Sequence, residues 1–542
     1  MSETNAGTGV VGLSAADPLT CRSGPGTAWT TVNVAEAVPG VQCPLAWSIW
    51  STAAERGLRR GLFDLGVLAR RDVTAPESVD QRIMAIFHGY VAVNVDIFRM
   101  VADGTPGSSG DAVERQLFGS VRPEVHTRRR FRRYPVAMVK TPWTTLRLAG
   151  RLRSLRRATD PWWSASTSPE ALADLDGAQD GFRAAVTLFE RAFSHHMAAR
   201  MLGQGLYEQV AKFAVAAGRP GLELRLVTGY GSFDEATLVT DLFDIARGRC
   251  DLATFLVRHG FHGPAEGDLA SASWREDPRP VERLVQTYRR HDQDRDPAAT
   301  LVVQARERER AESELLAALP IAARLRARVI LRLTRKLVPL GEVGKSAFLM
   351  ALDGIRAAAR RQGRRLAATG ALRSPDDVFM LTAAEAFGRL PEDVDEVVAA
   401  RRAIVERCAR LRLPTRWIGQ PVPVEIEAET MPRAGVVEGL PAAPGRVSGV
   451  ARVVTDQDQL DRFEHGEILV CEITDPSWSS YMFVASAVVI DIGSPVSHGA
   501  ILARELGIPC VINTGYGTRT IRTGDVVEVD GSSGRVTIQG AE

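Results

Sequence analysis

Asp491-Ile-Gly-Ser-Pro-Val-Ser-His498-Gly-Ala-Ile-Leu-Ala-Arg504-Glu505-Leu-Gly507-Ile-Pro509 is the stretch that decides how the C-terminal part of this chain folds. Just upstream, Ala487-Val-Val-Ile490 is a short apolar run of strand type. A Gly/Ser/Pro turn follows. Ala500, Ile501, Ala503 and Leu506 then recur at helical spacing until Gly507 and Pro509 stop the helix. The pattern predicts strand, turn and helix, with His498 at the helix start. A helix N-terminus presents unpaired backbone N–H groups and the positive end of its dipole, which suits a phosphoryl group. The same field disfavours imidazolium, so a histidine there tends to stay neutral and nucleophilic near pH 7. An isolated Ser-His at such a place is usually a plain turn feature, and longer context has to decide.

Working outward, short β-type runs surround this segment at 447–454, 467–470, 487–491, 510–513, 526–529 and 536–538. From Trp29 to about Arg416 the signal is mainly helical. Segments 168–201, 298–336, 344–369 and 383–412 carry apolar residues three and four apart. Residues 1–27, rich in Gly, Ser, Thr and Ala, read as a flexible tail. The character changes around Gly419-Gln-Pro-Val-Pro423 and Pro432-Arg-Ala-Gly435. The expected architecture is multidomain, α plus α/β. The tail is followed by a large helical substrate-binding domain at 28–416, a hinge at 417–435, and a compact β/β/α domain at 436–542.

At 542 residues, 45% hydrophobic and 24% charged, the chain is long enough for several cored domains. A formal net charge of +2 argues neither for nor against a polyanionic partner. Cys21, Cys43, Cys250, Cys408, Cys471 and Cys510 are scattered, with no C-x-x-C pair and no metal-ligand spacing, which suggests reduced thiols and no metal site. The first residues lack the basic start and apolar core of a signal peptide. No apolar run approaches the roughly 20 residues needed to span a bilayer. These features point to a cytoplasmic protein without membrane segments.

The segment around His498 closely resembles the phosphohistidine signature of the swivelling domain in the phosphoenolpyruvate-utilising and dikinase superfamily. The resemblance runs from about Gly439 to Ile538 and takes in Pro444-Gly445, Gly449, Thr474-Asp475-Pro476-Ser-Trp478, Arg504-Glu505-Leu-Gly507-Ile-Pro509, Thr523-Gly524-Asp525 and Val529-Asp530-Gly531. It implies that His498 carries a phosphoryl group, supported by Thr474, Asp475, Gly493, Ser494, Ser497, Gly499 and Arg504. Ser494 stands where the family often has a second glycine. The region from Trp29 to Trp47, the stretch Gly260-Phe-His262-Gly-Pro-Ala-Glu266, and Glu342-Val-Gly-Lys345 with Arg356 resemble the substrate domain of the rifampicin phosphotransferase-like and phenylphosphate synthase-like branch.

That resemblance implies two-stage transfer. Mg-ATP phosphorylates His498, with release of AMP and phosphate, and the C-terminal domain swings to an acceptor in the helical domain. Lys345 and Arg356 are the expected neutralising cations. Glu342, Glu266 or His262 would position or deprotonate a small, phenolic or aryl hydroxyl acceptor. Glu342 and Lys345 equally suit a surface helix pair, and Glu266 a loop cap. There is no P-loop, and the residues before Trp29 are too few for a nucleotide-binding fold, so the resemblance implies a separate ATP-grasp-type partner that binds the Mg-ATP. Relatives commonly carry arginine at the position of Gly341, which leaves Arg332, Arg335 or Lys336 as substitutes. They also have His and Arg where this chain has Phe261 and His262. Because of these departures two alternatives stay open: a non-catalytic regulatory or scaffold relative, and a ligase-type component that condenses a phosphate-activated substrate.

Between Arg122 and Arg157 there are 12 Lys/Arg and one acidic residue, Glu124. No nucleic-acid fold accompanies them, so a solvated basic face or docking of an anionic protein surface is the expected reading. His195 and His196 are adjacent on a helical segment, about 100° apart, and cannot both ligate one metal.

Overall fold

The computed structural model describes residues 17–32, 34–105, 108–118, 121–125, 131–230, 234–290, 296–425, 435–455, 457–460, 462–474, 478–493 and 497–539. A large helical region is followed by a C-terminal sheet domain. In the helical region, α1 (Glu55–Asp64), α2 (Tyr134–Ser166), α3 (Ala178–Ala216), α4 (Asp234–Ala246), α5 (Leu252–His259), α6 (Arg279–Arg290), α7 (Pro297–Ala318) and α8 (Leu340–Ala368) are the principal helices. Helix α8 is the axle. Almost every side chain from Ser346 to Ala359 is buried, because α2 and α3 pack along it from different sides.

The N-terminal part also contains a four-stranded antiparallel sheet, which the helical periodicity does not reveal. Strands β1 (Ala28–Thr30), β2 (Met84–Phe87), β3 (Tyr90–Asn94) and β4 (Arg416–Ile418) lie in the order β2-β3-β1-β4, with Trp29 opposite Trp417. Residues 17–27 therefore do not form a tail. Leu19 and Cys21 are buried, the Cys21 N–H donates to the Ile86 carbonyl, and the Asp80 carboxylate accepts from Ser23, Gly24 and Thr27. Two apolar side chains and a shared carboxylate hold the segment against the sheet. Residues 1–16 lie outside the described residues, as do residues 426–434 of the expected hinge; its first residues, Trp417 and Ile418, belong to β4.

The C-terminal domain is one eight-stranded mixed sheet. Its strands are β5 (Val436–Glu438), β6 (Leu440–Ala443), β7 (Arg446–Val454), β8 (Ile468–Cys471), β9 (Ala487–Ile490), β10 (Cys510–Ile512), β11 (Val526–Asp530) and β12 (Arg535–Ile538), in the order β5-β12-β11-β7-β8-β9-β10-β6. Strands β7 to β10 are mutually parallel and the rest antiparallel. Strands β8, β9 and β10 are buried on both faces, which explains their unbroken apolar runs. Side chains alternate between faces: Ile468 and Val470 join one core, Leu469 and Cys471 another.

That second core crosses the expected domain boundary. It unites Leu469, Val488 and Ile490 with Leu242, Phe243, Val281 and Tyr288 of α4 and α6. The Tyr288 hydroxyl donates to the Ser480 carbonyl at 2.9 Å. Residues 234–290 thus form a cradle on which the C-terminal domain sits. No helix among the described residues is long and apolar enough to cross a membrane.

Candidate functional site

Helix α9 (His498–Leu506) leaves β9 through the turn that the sequence marks. Ser497 is the extended residue before it, and Gly507, at φ 67° and ψ 31°, ends it in the left-handed region that glycine occupies without cost. The turn is anchored at its root by Asp491. Its carboxylate accepts from the Gly517 N–H at 2.6 Å, from the Thr518 N–H at 3.1 Å and from the Thr514 hydroxyl. A Cβ on Gly499 would lie 2.5 Å from Thr474 Oγ1, so only glycine lets the first turn of α9 settle on Thr474.

Two buried hydroxyls lie near this helix start without a partner among the described residues. Thr474 and Ser497 are 0% and 2% exposed, and neither hydroxyl has a hydrogen-bond partner among the described residues. A buried hydroxyl without a partner costs roughly 1–3 kcal/mol. Two of them beside a helix N-terminus form a polar nest that an incoming oxyanion would satisfy. Gly493 lies at the same turn, its would-be Cβ 3.3 Å from Ser497 Oγ. Arg504 supports the helix from its far end, donating to the Ala442 carbonyl of β6 at 2.8 Å. Burial lowers the Arg504 pKa. Ser494, Asp475 and the side chain of His498 lie outside the described residues.

Helix α9 closes one wall of a cavity of about 390 Å³, to which it contributes Ser497 and Ile501. The opposing walls come from α1, the small sheet, the helix Val95–Asp103 after it, α3 and α8, and most of them are apolar: Leu58, Leu62, Met84, Phe98, Phe193 and Phe348 are representative. Glu342 and Lys345 from the first turns of α8 line this cavity, as does Glu266. The structure therefore brings three of the five expected acceptor-site residues together with the helix that begins at His498.

His262 stands one step behind. Its Nδ1 is hydrogen-bonded to Glu266 Oε1, both residues are buried, and they fix each other. His262 orients the Glu266 carboxylate and does not itself line the cavity. Ala265, between them, sits at φ 49°, a left-handed conformation that costs a β-carbon residue roughly 1–2 kcal/mol. Phe261, where relatives carry a polar side chain, packs edge-on against Trp163 at 5.4 Å.

Arg356 corrects the sequence reading. It is not on the cavity wall. Its guanidinium donates to Asp353 at 3.0 Å and to the Asp268 carbonyl at 3.1 Å, within a buried network in which Asp353 also holds Arg275 at 3.0 Å and the Trp163 indole at 2.9 Å. Its charge is taken up by Asp353 and by the Asp268 carbonyl, which ties the loop 260–278 to α8. Nor do Arg332, Arg335 or Lys336 line the cavity beside Gly341, and Arg335 faces Glu312 at 3.6 Å. The cation there is Arg200 of α3, a residue that sequence spacing does not single out. Among the described residues there is no cluster of three or more His, Cys, Asp or Glu side chains that could hold a metal ion. Burial, with Arg200 next, pushes the His196 pKa down to about 3, so it is a neutral ring whose Nδ1–H donates to the Gly341 carbonyl at 2.9 Å.

Comparison with known proteins agrees with this arrangement. Residues 463–534 match the mobile domain of PEP-utilising enzymes, and residues 230–342 match the fourth domain of rifampicin phosphotransferase. An uncharacterised protein of Mycobacterium tuberculosis is 32% identical over 333 residues, 61% of this chain and 36% of its own. The prodigiosin synthesizing transferase PigC of Serratia marcescens is 32% identical over 320 residues, covering 56% and 35%. A rifampicin phosphotransferase of Streptomyces sviceus is 28% identical over 299 residues, covering 53% and 34%. The matches span only about a third of the length of these relatives. With the mobile-domain and fourth-domain matches falling on the His498 helix and on the cradle that receives it, residues 463–534 and 230–342 belong to domains of the PEP-utilising superfamily, in its rifampicin phosphotransferase-like branch.

Proposed function

We propose that this chain is a phosphotransferase component that carries a phosphoryl group on His498 and delivers it to a hydroxyl of an apolar, phenolic or aryl acceptor held in the 390 Å³ cavity. One observation carries the reading: the helix that begins at His498, preceded by the unsatisfied hydroxyl of Ser497, closes the same cavity that Lys345, Glu342 and Glu266 line. The start of the carrier helix and the expected acceptor residues share one chamber. In the transfer, the bond from phosphorus to the imidazole nitrogen breaks and the nitrogen keeps the electron pair. A new phosphorus–oxygen bond forms, and the acceptor's hydroxyl proton passes to Glu342 or Glu266. Lys345 neutralises charge on the moving group, and the apolar walls exclude water that would otherwise hydrolyse it. A bare phenol would fill only a fraction of the chamber, so the acceptor has an extended apolar body.

The phosphoryl donor in this reading is Mg-ATP, bound by a separate ATP-grasp-type protein. A second reading, left open by the departures at Gly341, Phe261 and His262, has the phosphorylated acceptor consumed in a condensation; PigC, a relative, is a synthesizing transferase. The test is intact-mass analysis after incubation with Mg-ATP and a candidate ATP-binding protein, and in parallel with phosphoramidate as a chemical donor, beside His498→Ala. The expected result is an acid-labile gain of one phosphoryl group that the variant lacks. No gain with either donor would leave a scaffold role and remove the catalytic one. Isolation of a phosphorylated acceptor separates simple transfer from condensation.

A further inference from the structure

Helices α3 and α8 cross unusually closely where the chamber turns polar. A Cβ on Gly344 would lie 2.8 Å from the His196 Cα, and one on Gly341 would lie 3.3 Å from the Arg200 Cδ. Gly341 and Gly344 are three residues apart and form one small-residue face, while His196 and Arg200 are four apart and form the facing ridge. The neutral His196 locks the register through the Gly341 carbonyl, which leaves Arg200 lying over the bare Gly341 backbone. Its Nη1 is 4.0 Å from Glu342 Oε1, its side chain is 37% exposed, and it lines the cavity together with Lys345, Ser497 and Ile501.

The charge balance of the wall calls for this cation. Among the described lining residues, Glu36, Glu208, Glu266 and Glu342 are set against Arg200 and Lys345 alone. A phosphoryl group bearing close to two negative charges, brought among those carboxylates in a low-dielectric chamber, is repelled unless more than one cation meets it. Lysine supplies a point charge. A guanidinium supplies a planar fork that matches two phosphoryl oxygens at once.

We propose that Arg200, reaching across Gly341 from the neighbouring helix, is the second phosphoryl-binding cation of this site and clamps the group during its passage from His498. The proposal rests on the phosphohistidine reading, and inorganic phosphate is the probe that tests it independently of any acceptor. Phosphate is titrated calorimetrically into the whole chain, Arg200→Ala, Arg200→Lys, Lys345→Ala and the double variant Arg200→Ala/Gly341→Arg. Arg200→Ala is expected to weaken phosphate at least tenfold and Arg200→Lys several-fold. The double variant regains affinity to within threefold of wild type, because position 341 points into the space that Arg200 vacates. A merely structural Arg200 would not yield that recovery. Arg200→Lys keeps length and charge, so it decides the matter if Arg200→Ala misfolds. Wild-type phosphate affinity in both single Arg200 variants, or no phosphate binding by the wild type, overturns the proposal. Failure of the phosphohistidine reading shows separately, as absence of a phosphoryl gain on wild-type His498 with phosphoramidate, whatever the phosphate affinities are.

Discussion

Glu505 makes the seating of the C-terminal domain sensitive to pH. It lies in the last turn of α9, 2% exposed, and its Oε1 accepts from the Gly229 N–H of the helical region at 2.9 Å. Its Oε2 is buried without a partner among the described residues. Burial pushes the carboxyl from 4.5 up to about 7, against the opposing pull of the Gly229 and Tyr230 N–H groups, Arg504 and Arg308. When the domain leaves the cradle the carboxyl returns to water and to its ordinary value. The sign follows. Below about 4.5 both states are protonated and docking carries no penalty. Between about 4.5 and 7 only the undocked state ionises, so docking weakens. Above 7 the full penalty applies. The rise from 4.5 to about 7, at about 1.4 kcal/mol for each tenfold, comes to about 3.5 kcal/mol, or about 300-fold in the docking equilibrium. Glu505→Gln keeps a carbonyl oxygen for the Gly229 N–H and cannot ionise, so its docking should be flat across this window and tighter than wild type at pH 8. Hydrogen exchange at the interface, compared between wild type and Glu505→Gln at each pH, measures this. A protection ratio that is the same at pH 5 and pH 8 would refute the reasoning.

Two further substitutions probe the frame and the nest. Asp353→Ala strands Arg275 and Arg356 in the interior, and breaking one member of a buried ion network costs about 3–5 kcal/mol, so denaturant unfolding should show a loss of that size. Thr474→Val replaces an unsatisfied buried hydroxyl with a methyl group of similar volume. It should leave stability unchanged or raise it by up to about 1 kcal/mol in thermal unfolding while slowing phosphoryl loading of His498; destabilisation with unchanged loading would show that the hydroxyl serves the fold and not the phosphoryl group.

What the sequence determined by itself is whatever local physics decides within a turn or two of chain. Six of the eight strands of the C-terminal domain fall within about a residue of their apolar runs, while β5 and β6 carry no such run, and α9 begins at His498 and stops at Gly507 because the turn chemistry and the left-handed cap are written into adjacent residues. Helical periodicity located the long helices but ran through their breaks. The segment read as 298–336 is two helices parted at Leu319-Pro320, where proline cannot continue the ladder, and 168–201 spans the gap between α2 and α3. Only the tertiary structure decided the rest. Trp29 pairs with Trp417, so the small sheet joins the two ends of the helical region, and no local pattern announces a contact of that span. Glu266 and Lys345 were legible as motif residues, yet Arg356 carries its cation into a structural network while Arg200 brings one to the cavity. Charge is visible in a sequence. Which helix face it occupies after packing, and which carboxylate claims it first, is settled by close approach between distant segments, here at Gly341 and Gly344.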